Sequence, residues 1–225
     1  MKVIGLLLMG GQNLRMGGEK KALLTYQNKC FYENVAEAMK EAGVEQVYAS
    51  VETTWDMELG MEQVVDAYDK IGPLGGIVTM LERLPEAKGM LVLPCDLPRI
   101  SAELLKCLLV KYEETALPVV LMCEGWPNPL VAIYTKDCLP ILKNQIAEGN
   151  YRATHWIKLV EHAEVVLDDA DKYMISNINS KEDYAALVEN LTENSYFTTS
   201  QVDGIMLQCY NECVILCDTT THKSY

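Results

Sequence analysis

Apolar positions along this chain follow two periods. Lys2 to Met9 is a nearly unbroken apolar run that ends in Gly10-Gly11, the pattern of a parallel strand buried on both faces. Tyr32, Val35, Ala36 and Met39 recur at i, i+3, i+4 and i+7, one face of a helix, and Gly43 supplies its stop. Gln46 to Val51 reads as a second strand and Gln63 to Asp66 as a short third. Gly72-Pro73-Leu74-Gly75-Gly76 opens a helix running to about Leu84, and Gly89 to Pro94 is a fourth strand. Ser101 is placed to cap a helix carrying Leu104, Leu105, Leu108 and Tyr112. Pro118–Cys123 and Leu130–Tyr134 predict two further strands, 137–148 and 153–162 two helical stretches, and Ala163–Leu167 a late strand. Ser180 caps a last helix with Tyr184, Leu187, Val188 and Leu191 on one face.

Strands alternating with helices predict an α/β, Rossmann-like fold: a mostly parallel sheet with helices on both faces and right-handed crossovers. Ligands in such folds sit beyond the carboxyl ends of the strands. The Gly10 loop, Asp66 and Asp96 each follow a predicted strand, so the topology gathers them at one edge. Residues 195–225 differ in character, being rich in Ser, Thr and Cys. The expected division is a catalytic domain over 1–194 and an appendage over 195–225, with a hairpin around Gly204 to Asp218 or no fixed structure.

Composition narrows the partners. A net charge of −13 disfavours nucleic acid, which needs a basic face, and anionic membrane surfaces. The apolar run Val3–Met9 is too short to span a bilayer and lacks a signal-peptide cleavage pattern. The expectation is a cytoplasmic protein in which the eight cysteines are reduced thiols. Cys209, Cys213 and Cys217 are evenly spaced but match no zinc pattern. Cys95 reads as a small buried filler, and His155 and His162 as surface helix residues.

An acidic enzyme can still take phosphorylated substrates if cations are concentrated locally. Arg15, Lys20 and Lys21 form such an island inside a loop holding Gly10, Gly11, Gly17 and Gly18. Glycines permit close backbone approach, exposed N–H groups cradle phosphate oxygens, and Arg and Lys add charge. The spacing is neither a Walker A loop nor a dinucleotide fingerprint. Asp96, after an apolar strand and before Leu97-Pro98, is a carboxylate at a fixed position. Asn177 and Asn179 alternate, so an extended backbone places both on one face.

The segment Leu8 to Lys21 resembles the signature of molybdenum cofactor guanylyltransferases of the MobA type, LAGGxSxRMGxxK. Gly10, Gly11, Arg15, Met16, Gly17 and Lys21 fall on its defining positions. The resemblance continues in order through Val65-Asp66, Gly72–Gly76, Pro94–Pro98, Pro129-Leu130 to Tyr134, and Asn177–Asn179 with Glu182-Asp183. It implies transfer of GMP from GTP to the phosphate of molybdopterin, with release of pyrophosphate. It also implies that Leu8, Met9, Gly10, Gly11, Lys21, Asp66 and Asp96 bind the nucleotide, with Arg15, Lys21 and Asp96 catalytic. By the same resemblance Asp96 ligates Mg²⁺, Asn177 and Asn179 meet the pterin, and molybdoenzymes or their chaperones are possible partners. Met9 stands where the family usually has Ala, placing a large side chain where a purine would stack, and Lys20 where it usually has Asp. Two alternatives stay open: CTP as the donor, or another phosphorylated acceptor, and a non-catalytic protein that binds or delivers the pterin cofactor.

Overall fold

In the computed structural model the described residues are 3–10, 20–68, 70–84 and 89–194. Gly11, Arg15, the three evenly spaced cysteines and the expected hairpin at 204–218 lie outside them. The chain divides into two units, Met1–Lys181 and Glu182–Tyr225. The sheet and every described candidate site residue belong to the first.

The strands are β1 (Val3–Leu8), β2 (Thr25–Tyr26), β3 (Lys29–Cys30), β4 (Val47–Val51), β5 (Glu62–Val65), β6 (Gly89–Pro94), β7 (Val119–Cys123), β8 (Trp126–Tyr134) and β9 (Ala163–Leu167). The helices are α1 (Phe31–Glu41), α2 (Pro73–Arg83), α3 (Ala102–Thr115), α4 (Cys138–Ala147) and α5 (Lys181–Asn194). Seven strands form one sheet in the order β5-β4-β1-β6-β8-β7-β9. β1 lies between β4 and β6 and pairs parallel with both, which is why every residue of Val3–Leu8 is buried. Tyr32, Val35, Ala36 and Met39 of α1 pack with Leu104, Leu105, Leu108 and Tyr112 of α3 on one face. Leu74, Ile77, Val78 and Leu81 of α2 pack with Cys138 and Leu142 of α4 on the other. The expected doubly covered, mostly parallel sheet is present.

Four features depart from the sequence reading. β8 runs antiparallel to both neighbours and starts at Trp126 rather than Leu130. Only Glu124 and Gly125, both at positive φ, join it to β7, and a two-residue link of that conformation returns the chain antiparallel. Pro127 and Pro129 are tolerated because β6 pairs only with Ala132 to Tyr134, leaving the first half of β8 with an open side. A second hairpin, β2–β3, turns on Gln27 and Asn28 at positive φ; its two-residue strands are too short for a periodicity to register.

The third departure is the helix expected over 153–162, which is only a single 3₁₀ turn at Trp156–Lys158. A tertiary anchor decides the conformation there. Trp156 is fully buried, and its indole N–H donates to the Tyr134 hydroxyl at 3.0 Å, which donates in turn to the Pro129 carbonyl at 2.7 Å. His155 and His162 therefore sit in a turn segment rather than on a helix, and the His162 ring contacts the Val160 carbonyl. In α5, finally, Leu187 is buried as expected but Val188 is 39% exposed.

Candidate active site at the carboxyl edge of the sheet

Because β5, β4, β1 and β6 are mutually parallel, the residues that follow them emerge at one edge. The ladder continues a step past each strand and fixes those exits. Met9 N–H donates to Ser50 O at 2.9 Å, Asp66 N–H to Val51 O at 3.0 Å, and Cys95 N–H to Leu8 O at 3.1 Å. Gly10, Glu52, Asp66 and Asp96 thus leave the sheet at the same level. The edge has two halves, one beside β6 and one beside β4 and β5.

Lys21 and Asp96 make the first half. Lys21 Nζ lies 3.4 Å from Asp96 Oδ2, with both side chains mostly buried. The same ammonium donates to the Asn179 side-chain carbonyl. The segment carrying Asn179 is tied to the Asp96 loop twice. Ile178 N–H donates to Asp96 O at 3.1 Å, and the Arg99 guanidinium lies over the Tyr173 ring at 5.7 Å. Ile178 is buried while Asn177 and Asn179 are exposed, the alternation expected of an extended segment. Structure thus joins three segments that are 75 and 158 residues apart.

Asp96 is electrostatically unusual. Burial raises its pKa above the ordinary value, and Lys21 pulls the other way. Its second oxygen, Oδ1, is buried with no hydrogen-bond partner among the described residues. An ionised carboxylate oxygen in that condition is costly unless a cation meets it, so the residue suits a hard metal ion. Among the described residues no group of three or more His, Cys, Asp or Glu could form a metal cage. A cation at Asp96 would therefore complete its shell with phosphate oxygens and water. The adjacent Cys95 thiol is buried and pushed up to about 12 by desolvation and by Asp96. It is inert as a nucleophile, as expected of a core filler.

The second half centres on Asp66. Ser50 Oγ donates to Asp66 Oδ1 at 2.7 Å. Burial raises the Asp66 pKa; the Ser50 hydrogen bond lowers it and the like charge of Glu52 adds to it. Gly75 and Gly76 bring the first turn of α2 against this pair. A Cβ at Gly76 would overlap Ser50 Oγ and stand 3.1 Å from Asp66 Oδ1, and one at Gly75 would stand 2.8 Å from the Tyr68 carbonyl oxygen. Thr79 Oγ1, buried, accepts from Ala67 N–H at 2.8 Å and donates to Gly75 O at 2.7 Å, which locks the helix to the loop. Ser50 and Thr79 are absent from the sequence reading; the adjacent glycines at a helix start were the one available sign of a close approach.

Leu8 and Met9 are buried, in the clusters on opposite faces of the sheet, and Gly10 is exposed. The Met9 side chain belongs to the core cluster that also holds α1 and α3. Lys20 diverges from Lys21: its ammonium lies 3.7 Å from the centre of the Trp55 ring, on the β4 side and away from Asp96.

A parallel sheet whose carboxyl edge presents Gly10 after β1, a lysine facing an acidic residue after β6, and a second, partly buried acid after β5 has the architecture of a nucleotidyltransferase. Comparison with known proteins agrees. Residues 5–165 match the model of the MobA-like NTP transferase domain. A protein of Flavobacterium johnsoniae named "Probable molybdenum cofactor guanylyltransferase" is 33% identical over 186 residues, covering 83% of this chain and 96% of its own. One of the same name from Bacillus cytotoxicus is 28% identical over 196 residues, covering 83% and 96%. Among solved structures, molybdopterin-guanine dinucleotide biosynthesis protein A of Archaeoglobus fulgidus superposes with a TM-score of 0.70 at 20% identity, over 86% of this chain and 100% of its own. The chain belongs to the MobA-like NTP transferase family. Among the described residues, no helix is long and apolar enough to cross a membrane.

Proposed function

We propose that this protein transfers GMP from GTP to the terminal phosphate of molybdopterin, releasing pyrophosphate and forming molybdopterin guanine dinucleotide. The observation that carries the reading is the triad Lys21, Asp96 and Asn179. It joins a cation for phosphate, a partly buried carboxylate with one oxygen unpartnered among the described residues, and the segment that the resemblance assigns to the pterin. The names of the relatives at 33% and 28% identity support guanine and molybdopterin as substrates.

In this reading the nucleotide runs along the backbone of Leu8 to Gly10 and Gly11. Lys21 Nζ exchanges its contact with Asn179 for a phosphate oxygen and neutralises charge as the α-phosphate is attacked. Arg15 forks onto the same phosphate chain. Asp96 would hold Mg²⁺, and that ion would supply Lewis-acid charge neutralisation to the triphosphate. Asp66, held by Ser50, faces the nucleoside. Asn177 and Asn179 orient the pterin so that its phosphate lies in line with the α-phosphorus. Positioning and electrostatics suffice, because phosphoryl-type transfer needs little covalent help from the protein. We further infer a cytoplasmic enzyme, with molybdoenzymes or their chaperones receiving the product.

The test is pyrophosphate release by the purified full chain with molybdopterin, Mg²⁺ and each nucleoside triphosphate in turn. Release with GTP is expected. Release with CTP alone would replace the donor, and release with none would return the protein to a carrier role.

A further inference from the structure

The half of the edge beside β4 holds a group that the catalytic reading does not use. Glu52 follows β4 directly and lies against Gly10: a Cβ on Gly10 would sit 3.6 Å from Glu52 Cγ. Its charge reaches Asp66, whose pKa it helps to raise. Glu52 is exposed and takes no hydrogen bond or ion pair among the described residues. A carboxylate placed against Gly10, one strand over from β1, suits a partner rich in donors.

We propose that Glu52 reads the guanine base by accepting hydrogen bonds from its N1–H and its exocyclic amino group. The inference rests on the GTP-dependent reading above and names the residue that selects the base. Phosphates at Lys21 and Asp96 lie on the β6 side of β1, so a nucleotide crossing Gly10 carries its base to the β4 side. The charges set the same orientation. Lys21 attracts the phosphate chain, whereas Glu52 and Asp66 repel it. Gly10 has no side chain to stand between the base and Glu52.

The base edge then decides. An ionised carboxylate has only acceptors, two oxygens side by side. Guanine offers two adjacent donors that match both oxygens, with the added strength of a charged acceptor. Adenine and cytosine each set a ring-nitrogen acceptor beside their amino group, which opposes a carboxylate oxygen. Uracil has one donor between two carbonyls. Asp66 is less suited to the task, because Ser50 already holds Oδ1 and the glycine wall of α2 closes over that oxygen.

The experiment measures Kd by calorimetry for GTP, ITP and CTP with Mg²⁺ and the full chain, in wild type, Glu52→Ala and Glu52→Gln. ITP keeps N1–H but lacks the amino group. Wild type is expected to prefer GTP over ITP by about tenfold or more, the worth of one hydrogen bond to a charged acceptor. Glu52→Ala should bring that ratio to within about twofold, and Glu52→Gln, with a single acceptor oxygen, should fall between. A wild-type preference for GTP that persists in Glu52→Ala overturns the role of Glu52 and leaves the guanylyltransferase reading intact. A wild type that binds CTP better than GTP overturns both.

Discussion

The two halves of the sheet edge each hold a partly buried aspartate after a parallel strand, yet their surroundings make them different chemical groups. Asp96 faces a lysine with one oxygen, and its other oxygen is buried without a partner among the described residues. Asp66 accepts from the neutral Ser50 hydroxyl and is walled by two glycines of α2. Burial raises the pKa of both, and among the described residues only Asp96 has a cation to offset it. The lesson is that position at a strand end supplies the carboxylate, and its neighbours, a lysine at Asp96 and a hydroxyl with two helix glycines at Asp66, set its electrostatics.

Asp96→Asn breaks this contrast most severely. It removes the anionic ligand while keeping the shape, so the fold should persist and turnover should fall on the order of 10²-fold or more. Steady-state kinetics with saturating Mg²⁺ checks this, and full activity would remove Asp96 from the mechanism.

The two neighbouring lysines come next. Lys21→Ala should cost about 2–4 kcal/mol in kcat/KM for GTP. Lys20→Ala loses a charge stacked on Trp55 and should cost under about 1 kcal/mol. Equal damage from the two would show that the loop works as undifferentiated positive charge.

Gly76→Ala tests the packing of the other half. The added methyl meets Ser50 and Asp66, and overpacking of this kind should cost about 1–3 kcal/mol of stability. Denaturant unfolding reads the loss. Ser50→Gly in the same chain should recover part of it, because the clashing hydroxyl is then gone.

The smallest effect concerns Asp66 and pH. A carboxyl whose pKa is raised on folding opposes folding when ionised, so Asp66→Asn should raise the neutral-pH Tm by roughly 1–3 °C. That gain should fade as pH drops, and vanish below the ordinary aspartate value of 3.8, where the native side chain is protonated in both states. A gain unchanged down to that pH would contradict the desolvation account.

Much of this contrast was legible in the residues, and what was hidden has physical causes. Asp66 and Asp96 could be placed because each follows an apolar run, and parallel strands end at a common edge. Asn177 and Asn179 could be placed by alternation around the apolar Ile178. Ser50 could not, since a hydroxyl inside an apolar strand reads as a tolerated polar residue until a partner appears 16 positions away. The difference between Lys20 and Lys21 rested on resemblance alone; Trp55, which separates them, is 35 positions further along the sequence. The antiparallel run of β8 was hidden by Pro127 and Pro129, which suggested a break where the strand in fact continues.

The most direct test of the central claim follows the α-phosphorus of GTP. The purified full chain is incubated with Mg²⁺, molybdopterin and GTP labelled at the α-phosphate, and the products are separated and weighed. The account predicts label in a molybdopterin guanine dinucleotide, in proportion to pyrophosphate released, with both lost in Asp96→Asn. Label remaining in GTP, or appearing only as free GMP, would contradict it.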